Sequence, residues 1–179
     1  MTPATLPDGP ARDALCQAAA ILDVAELTGQ PFALTEAHAQ MGRCYRGLGS
    51  LDAAAASFAQ ALRWSHVTGS ADMATDLLCD LAEVAADQAD VAEEHDEPGA
   101  HRAARERARD HAFAAAQCAA SATDADWEAH ALMRVCSVLE RCGDRSDALS
   151  LQKRARRIIA RDDAVALPDL SKMQVRGAA

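Results

Sequence analysis

Apolar positions in this chain recur every three to four residues, and no run alternates with period two. The first pattern places one face of a helix against a core, and the second, the mark of a half-buried strand, is missing. The clearest stretch runs from Thr35 to Gly69, where Met41, Tyr45, Leu51, Phe58 and Leu62 supply bulk and Gly42, Ala54 and Ala61 supply gaps. It predicts two amphipathic helices joined by a tight turn at Leu48-Gly49-Ser50, touching where the small residues lie. Upstream, Asp8 and Pro10 predict a helix start, and Gly29 a C-terminal cap after Thr28. Pro31 is placed to open the next helix. Residues 1–9 read as a flexible lead.

The pattern then repeats. Ile21 to Gly29 aligns with Ala61 to Gly69 at an offset of 40 residues, both ending Thr-Gly, and Met41-Gly42 aligns with Leu81-Ala82. A third copy places Val135-Cys136 there. Its turn Cys142-Gly143-Asp144 matches Leu48-Gly49-Ser50, Ala148 matches Ala54, and Ala155 matches Ala61. One helix pair cannot bury its apolar face alone, so stacked neighbours must complete the core. The middle copy is longer. Ala82 to Ala108 spans 26 residues where Gly42 to Ala54 spans 12, an excess of 14. Sequence on both sides of Asp96-Glu97-Pro98-Gly99 favours helix, with Pro98-Gly99 as the turn signal. The expectation is a hairpin extended by about two turns on each side. The organisation read from the chain is a first helix at 10–29 and pairs at 31–69, 71–121 (extended around 87–103) and 125–161. A tail from 162 to 179 would cap the stack.

Composition supports helices and narrows function. Of 179 residues, 50% are hydrophobic but only 3% aromatic, and alanine methyls let helix backbones approach closely. The formal net charge of −9 argues against a general nucleic-acid binder, whose affinity rests on neutralising phosphates. No signal peptide is visible, and no apolar run reaches the length of a membrane span. These features fit a cytoplasmic protein. Lys153 and Lys172 are the only lysines, so the positive charge is nearly all arginine, as in a GC-rich bacterial genome. The six cysteines, at 16, 44, 79, 118, 136 and 142, form no CxxC pair and read as reduced core residues. Arg43 beside Cys44 and Arg141 beside Cys142 would lower those thiol pKa values, and burial would raise them.

Candidate chemistry is sparse. Glu93, Glu94, His95, Asp96, Glu97 and His101 at the hairpin tip are of metal-ligating type, but consecutive residues diverge, and a solvated polar turn is the better reading. Arg102, Arg105 and Arg109 share a helical face, either pairing with acids such as Glu106 or forming a basic docking patch. No phosphate loop, nucleophile elbow or HExxH motif is present. Glu36, His38 and Arg43 have the spacing of an ordinary helix surface. No catalytic residue, cofactor or metal is assigned, and an enzyme is not expected.

The Thr35–Gly69 unit resembles a tetratricopeptide repeat. It has the large-residue plus glycine pair (Met41, Gly42), Tyr45 one turn later, the Leu48-Gly49 turn, and Ala54, Phe58 and Ala61 in the second helix. The usual closing proline is absent, and the helix ends in Thr68-Gly69, as in 40-residue repeats of this type. The likeness extends over about 11–161, weakest at 75–121. It implies an all-α, right-handed α-α superhelix (a solenoid of about seven helices) whose concave side is lined by the first helix of each pair. A protein or peptide partner would meet Glu36, Ala39, Arg43 and Arg46 there, then Asp76, Cys79, Asp80 and Glu83, then His130, Met133, Arg134, Ser137 and Arg141. The Lys and Asn clamp for chaperone C-termini is not present at those places. The surface is banded basic, acidic, basic, suiting a partner of mixed charge. An adaptor or scaffold is the leading expectation. A chaperone of secreted proteins and a peptide-sensing regulatory module are the alternatives. Leu167, Leu170, Met173 and Val175 would cap the open end, unless an end is covered by a homodimer contact.

Overall fold

A computed structural model describes residues 9–121 and 124–166. The expected N-terminal lead, Asp8 as a cap and the capping role of Leu167, Leu170, Met173 and Val175 lie outside these residues. The described chain is all-α, with seven helices: α1 (Pro10–Thr28), α2 (Pro31–Gly47), α3 (Leu51–Thr68), α4 (Ala71–Glu94), α5 (Pro98–Ala119), α6 (Ala125–Arg141) and α7 (Arg145–Ala166). Each packs on the next, and α4 also packs on α6. The last helix runs five residues beyond the boundary expected at 161.

Three features explain where the helices begin and end. Gly29 and Gly69 close α1 and α3 in the left-handed conformation (φ 63° and 68°), where a Cβ would be strained. Prolines stand in the first turns of α1, α2 and α5, where a missing N–H is not needed. Ser70 and Asp124 cap α4 and α6 with side-chain oxygens that accept backbone N–H groups.

The core is built from small residues between larger ones. Phe58, fully buried in α3, lies so close to Gly42 of α2 that a Cβ there would meet the ring at 2.7 Å. Ala82 and Cys136, the equivalents of Gly42, are likewise buried. One apolar cluster joins α2, α3 and α4 around Phe58, and a larger one joins α4 to α7 around Leu132, Val135 and Leu139. A small third cluster ties α1 to α2 through Ala25, Leu34 and Ala37, with Trp64 of α3 against it.

Within-pair turns repeat bond for bond. Gly49 N–H donates to Arg46 C=O and Ser50 N–H to Tyr45 C=O, both at 2.9 Å. Gly143 and Asp144 make the same bonds to Glu140 and Leu139, at 3.0 and 2.9 Å. In the middle pair Asp96 and Glu97 do so to Glu93 and Ala92, at 3.1 and 2.9 Å. The turn there is therefore His95-Asp96-Glu97, not Pro98-Gly99. Pro98 opens α5, and Asp96 adopts the left-handed conformation (φ 55°) that glycine holds in the other two turns. With Asp96 as the counterpart of Gly49, the 14 extra residues divide equally: 7 lengthen α4 and 7 lengthen α5. These helices reach 24 and 22 residues, against 17 in α2 and 18 in α3.

Candidate functional site: the charged face of α2, α4 and α6

Helix α4 carries Asp76, Asp80, Glu83, Asp87 and Asp90 at alternating steps of four and three residues, which puts all five on one helical stripe. Arginines from the two flanking helices converge on it. From α2, Arg46 hydrogen-bonds Glu83 and also Asp87 at 2.7 Å. From α6, Arg134 reaches Asp80 at 2.5 Å and Glu83 at 2.8 Å, with Asp76 at 3.6 Å. One turn pair further along, Arg141 spans Asp87 at 2.9 Å and Asp90 at 2.5 Å. Glu83 and Asp87 are thus shared between arginines of both flanks, and α2 and α6 are tied through α4. Planar guanidinium groups suit this bridging because each presents several donors in a fixed fork.

Partial burial gives the arrangement consequences beyond those of surface ion pairs. Burial would push the Glu83 carboxyl up, but hydrogen bonds and charge from Arg134 and Arg46 outweigh it and hold its pKa below the usual value. Burial would likewise lower the Arg134 pKa, but bonds to Glu83 and Asp80 raise it overall. Asp76 sits at the edge, where burial prevails over Arg134 and its pKa is raised. Asp80 is itself buried, and its Oδ2 has no hydrogen-bond partner. The Arg43 Nε lies 3.9 Å from that oxygen, on a side chain 58% exposed. Arg43, Arg46, Gly47, Phe58, Asp80 and Asp87 line a hollow of about 500 Å³ beside it.

The thirteen residues named for a partner surface therefore divide. Arg43, Arg46, Asp76, Asp80, Glu83, Arg134 and Arg141 meet in one network, while Glu36, His130, Met133 and Ser137 are exposed. Ala39 and Cys79 are buried at 2% and 1% exposure, so they pack the helices and present nothing to a partner. Asp87 and Asp90 belong to the network although the repeat pattern did not select them. Continuing the stripe by four and three residues from Glu83 would have found both.

Elsewhere, the arginine face of α5 finds a partner outside its own hairpin: Arg109 Nε lies 2.8 Å from Asp144, in the α6–α7 turn. The tip histidines bond to the backbone of α4, His95 Nδ1 donating to Val91 C=O at 2.7 Å and His101 Nδ1 to Ala89 C=O at 3.0 Å. Among the described residues no three His, Cys, Asp or Glu side chains are placed to share a metal ion. All six cysteines are free thiols. Burial raises the pKa of Cys136 and Cys142 and pushes Cys79 up to about 12; at Cys142 burial prevails over the charge of Arg105 and Arg109 of α5, which act there instead of Arg141. No described helix is long and apolar enough to cross a membrane.

No protein-family model matches the chain, and no curated protein matches it. Among solved structures, BtubC (BKLC) from P. vanneervenii aligns over 96% of this chain and 98% of its own, at 13% identity and a TM-score of 0.31.

Proposed function

We propose that the chain is a tetratricopeptide-like array, three helix pairs preceded by one second-type helix, wound as a right-handed superhelix. In this reading it is a non-enzymatic adaptor that holds a protein or peptide along the α2/α4/α6 face. The observation that carries the reading is the recurrence of local chemistry at the 40-residue offset. Thr28 and Thr68 bond back to the carbonyls of Ala25 and Ser65, and Thr35 and Thr75 to those of Pro31 and Ala71. Gly29 and Gly69 take the same left-handed cap between them. A repeat that reproduces its bonds as well as its apolar spacing supports stacked, equivalent units.

Most charges of the face are satisfied by one another, so they set its shape more than its affinity. The groups left for a partner are Arg43 and the exposed Glu36, His130, Met133 and Ser137. That set favours a partner of mixed charge with an apolar side chain for Met133. The test is capture from native cytosol on immobilised full-length chain, compared with Arg43→Glu and Met133→Asp variants. Both substitutions fall on exposed side chains, so loss of a retained partner with helicity unchanged supports the face. Retention unaffected by either substitution, or no retained partner, overturns it.

A further inference from the structure

The opposite situation holds at the start of the array. Helices α1 and α2 form an apolar groove of about 670 Å³ whose walls include Ile21, Val24, Ala33 and Phe32. The 40-residue correspondence says what belongs in it. The groove formed by α3 and α4 is the equivalent surface, and α2 fills it: Ala54, Phe58 and Ala61 of α3 are buried in one cluster with Ala39 of α2. Their counterparts in α1 are Ala14, Ala18 and Ile21: Ala18 is buried like Phe58, but Ala14 is exposed and Ile21 is 45% exposed, where Ala61 is 0%. Val24, 60% exposed, is the counterpart of Trp64, which is half-buried and packs against the α1/α2 cluster. Phe32, 61% exposed, stands where the repeat has the exposed Asp72, so what departs from the repeat there is an apolar side chain at an open position on the rim of the groove. By contrast Leu27 and its counterpart Val67 are both exposed, so Leu27 reports an ordinary surface position. Excess exposure over the repeat counterparts thus falls at Ala14, Ile21 and Val24 of α1.

We infer that this face is the interface for a second copy of the chain, α1 of each protomer seating in the α1/α2 groove of the other. The groove takes an amphipathic helix with an apolar ridge, and α1 itself carries that ridge in Ile21 and Val24. One surface thus holds both the groove and its filling, which is the condition for a two-fold, isologous contact. The area is adequate. A 19-residue helix is about 28 Å long, and two helices of about 10 Å width present on the order of 550 Å² per protomer. Two such faces, taken as the full outlines of both helices, just reach the roughly 1,000 Å² of the smallest specific interfaces and stay well below an obligate one, which suits a dissociable dimer. The inference uses the repeat correspondence and not the partner-binding reading of the α2/α4/α6 face.

Sedimentation equilibrium of the full-length chain tests it. The expected result is a monomer–dimer equilibrium that Val24→Asp and Phe32→Asp each weaken at least about tenfold, with helicity unchanged. Phe32→Asp is the safer probe of the two, since the repeat already accepts aspartate at the equivalent position 72. Ile159→Asp, on an exposed position of α7, should leave the equilibrium as it was. A chain that remains monomeric up to about 1 mM overturns the proposal. So does a dimer insensitive to Phe32→Asp or broken by Ile159→Asp.

Discussion

The α2/α4/α6 face and the α1/α2 end are both surfaces of helices, and they are made from opposite materials. On the first, five carboxylates and four arginines engage one another, so water can cover the face without separating the helices. On the second, apolar side chains stand exposed and only burial can satisfy them. Charge on the first face supplies direction, because each guanidinium must find particular oxygens. Apolar area on the second supplies cohesion with little regard to register. An array of alanine-rich helices needs both, since methyl-to-methyl packing alone fixes neither order nor phase.

The contrast is broken most sharply by deleting one cation from the centre. Arg134→Ala leaves Asp80 buried without its closest partner and frees Glu83 from one of two, and the expected loss is about 3 kcal/mol in a urea titration. Ile21→Ala at the end, measured at a concentration where the chain is monomeric, should cost less than about 0.5 kcal/mol, because nearly half that side chain is already in water. Similar losses at the two sites would refute the distinction. The pH dependence sharpens it further. The depressed folded pKa of Glu83 means its contribution is present above the unfolded carboxylate value of about 4.3 and is lost as pH falls through the lower folded value. Asp76, with a raised folded pKa, acts in the other sense, gaining stability as pH falls through it. Stability should therefore hold or rise slightly on mild acidification and then drop. Glu83→Gln should lower urea midpoints at pH 7 and flatten the drop below about pH 4. A variant with the parent's acid slope would exclude Glu83 as its source. A modest effect of opposite sign lies outside both surfaces, at the middle turn. Asp96→Gly should stabilise by roughly 0.5–1 kcal/mol by relieving a left-handed backbone, seen as a higher melting temperature.

The sequence carried the helical class clearly, because period and breakers agree along the chain: Gly29 and Gly69 end helices, and Pro31 begins one. The middle turn was misplaced for a physical reason. Pro-Gly is a strong local turn signal, but proline is equally at home in the first turn of a helix, and here Pro98 opens α5. Residues on the charged face were identifiable as a set of helix positions, whereas their mutual pairing was not. Arg134 and Glu83 are 51 residues apart, and only the packed helices bring them within 2.8 Å. Ala39 and Cys79 illustrate the same limit, since helix position names a face and burial depends on how deep the neighbours sit.

The equal seven-residue additions to α4 and α5 bear on how such a hairpin can change length. Seven residues make almost two full turns, so each added segment leaves the helix about 20° from its original phase. The apolar side of the extension therefore continues the apolar side of the trunk, and both helices still face each other at the tip. Ala89, Ala92 and Ala104, all buried in the extended region, are where that continuity is visible. Additions of three or four residues would rotate the outer part in either sense and turn its alanines toward solvent. Steps of two turns are thus the change of length that keeps the facing sides of α4 and α5 in phase.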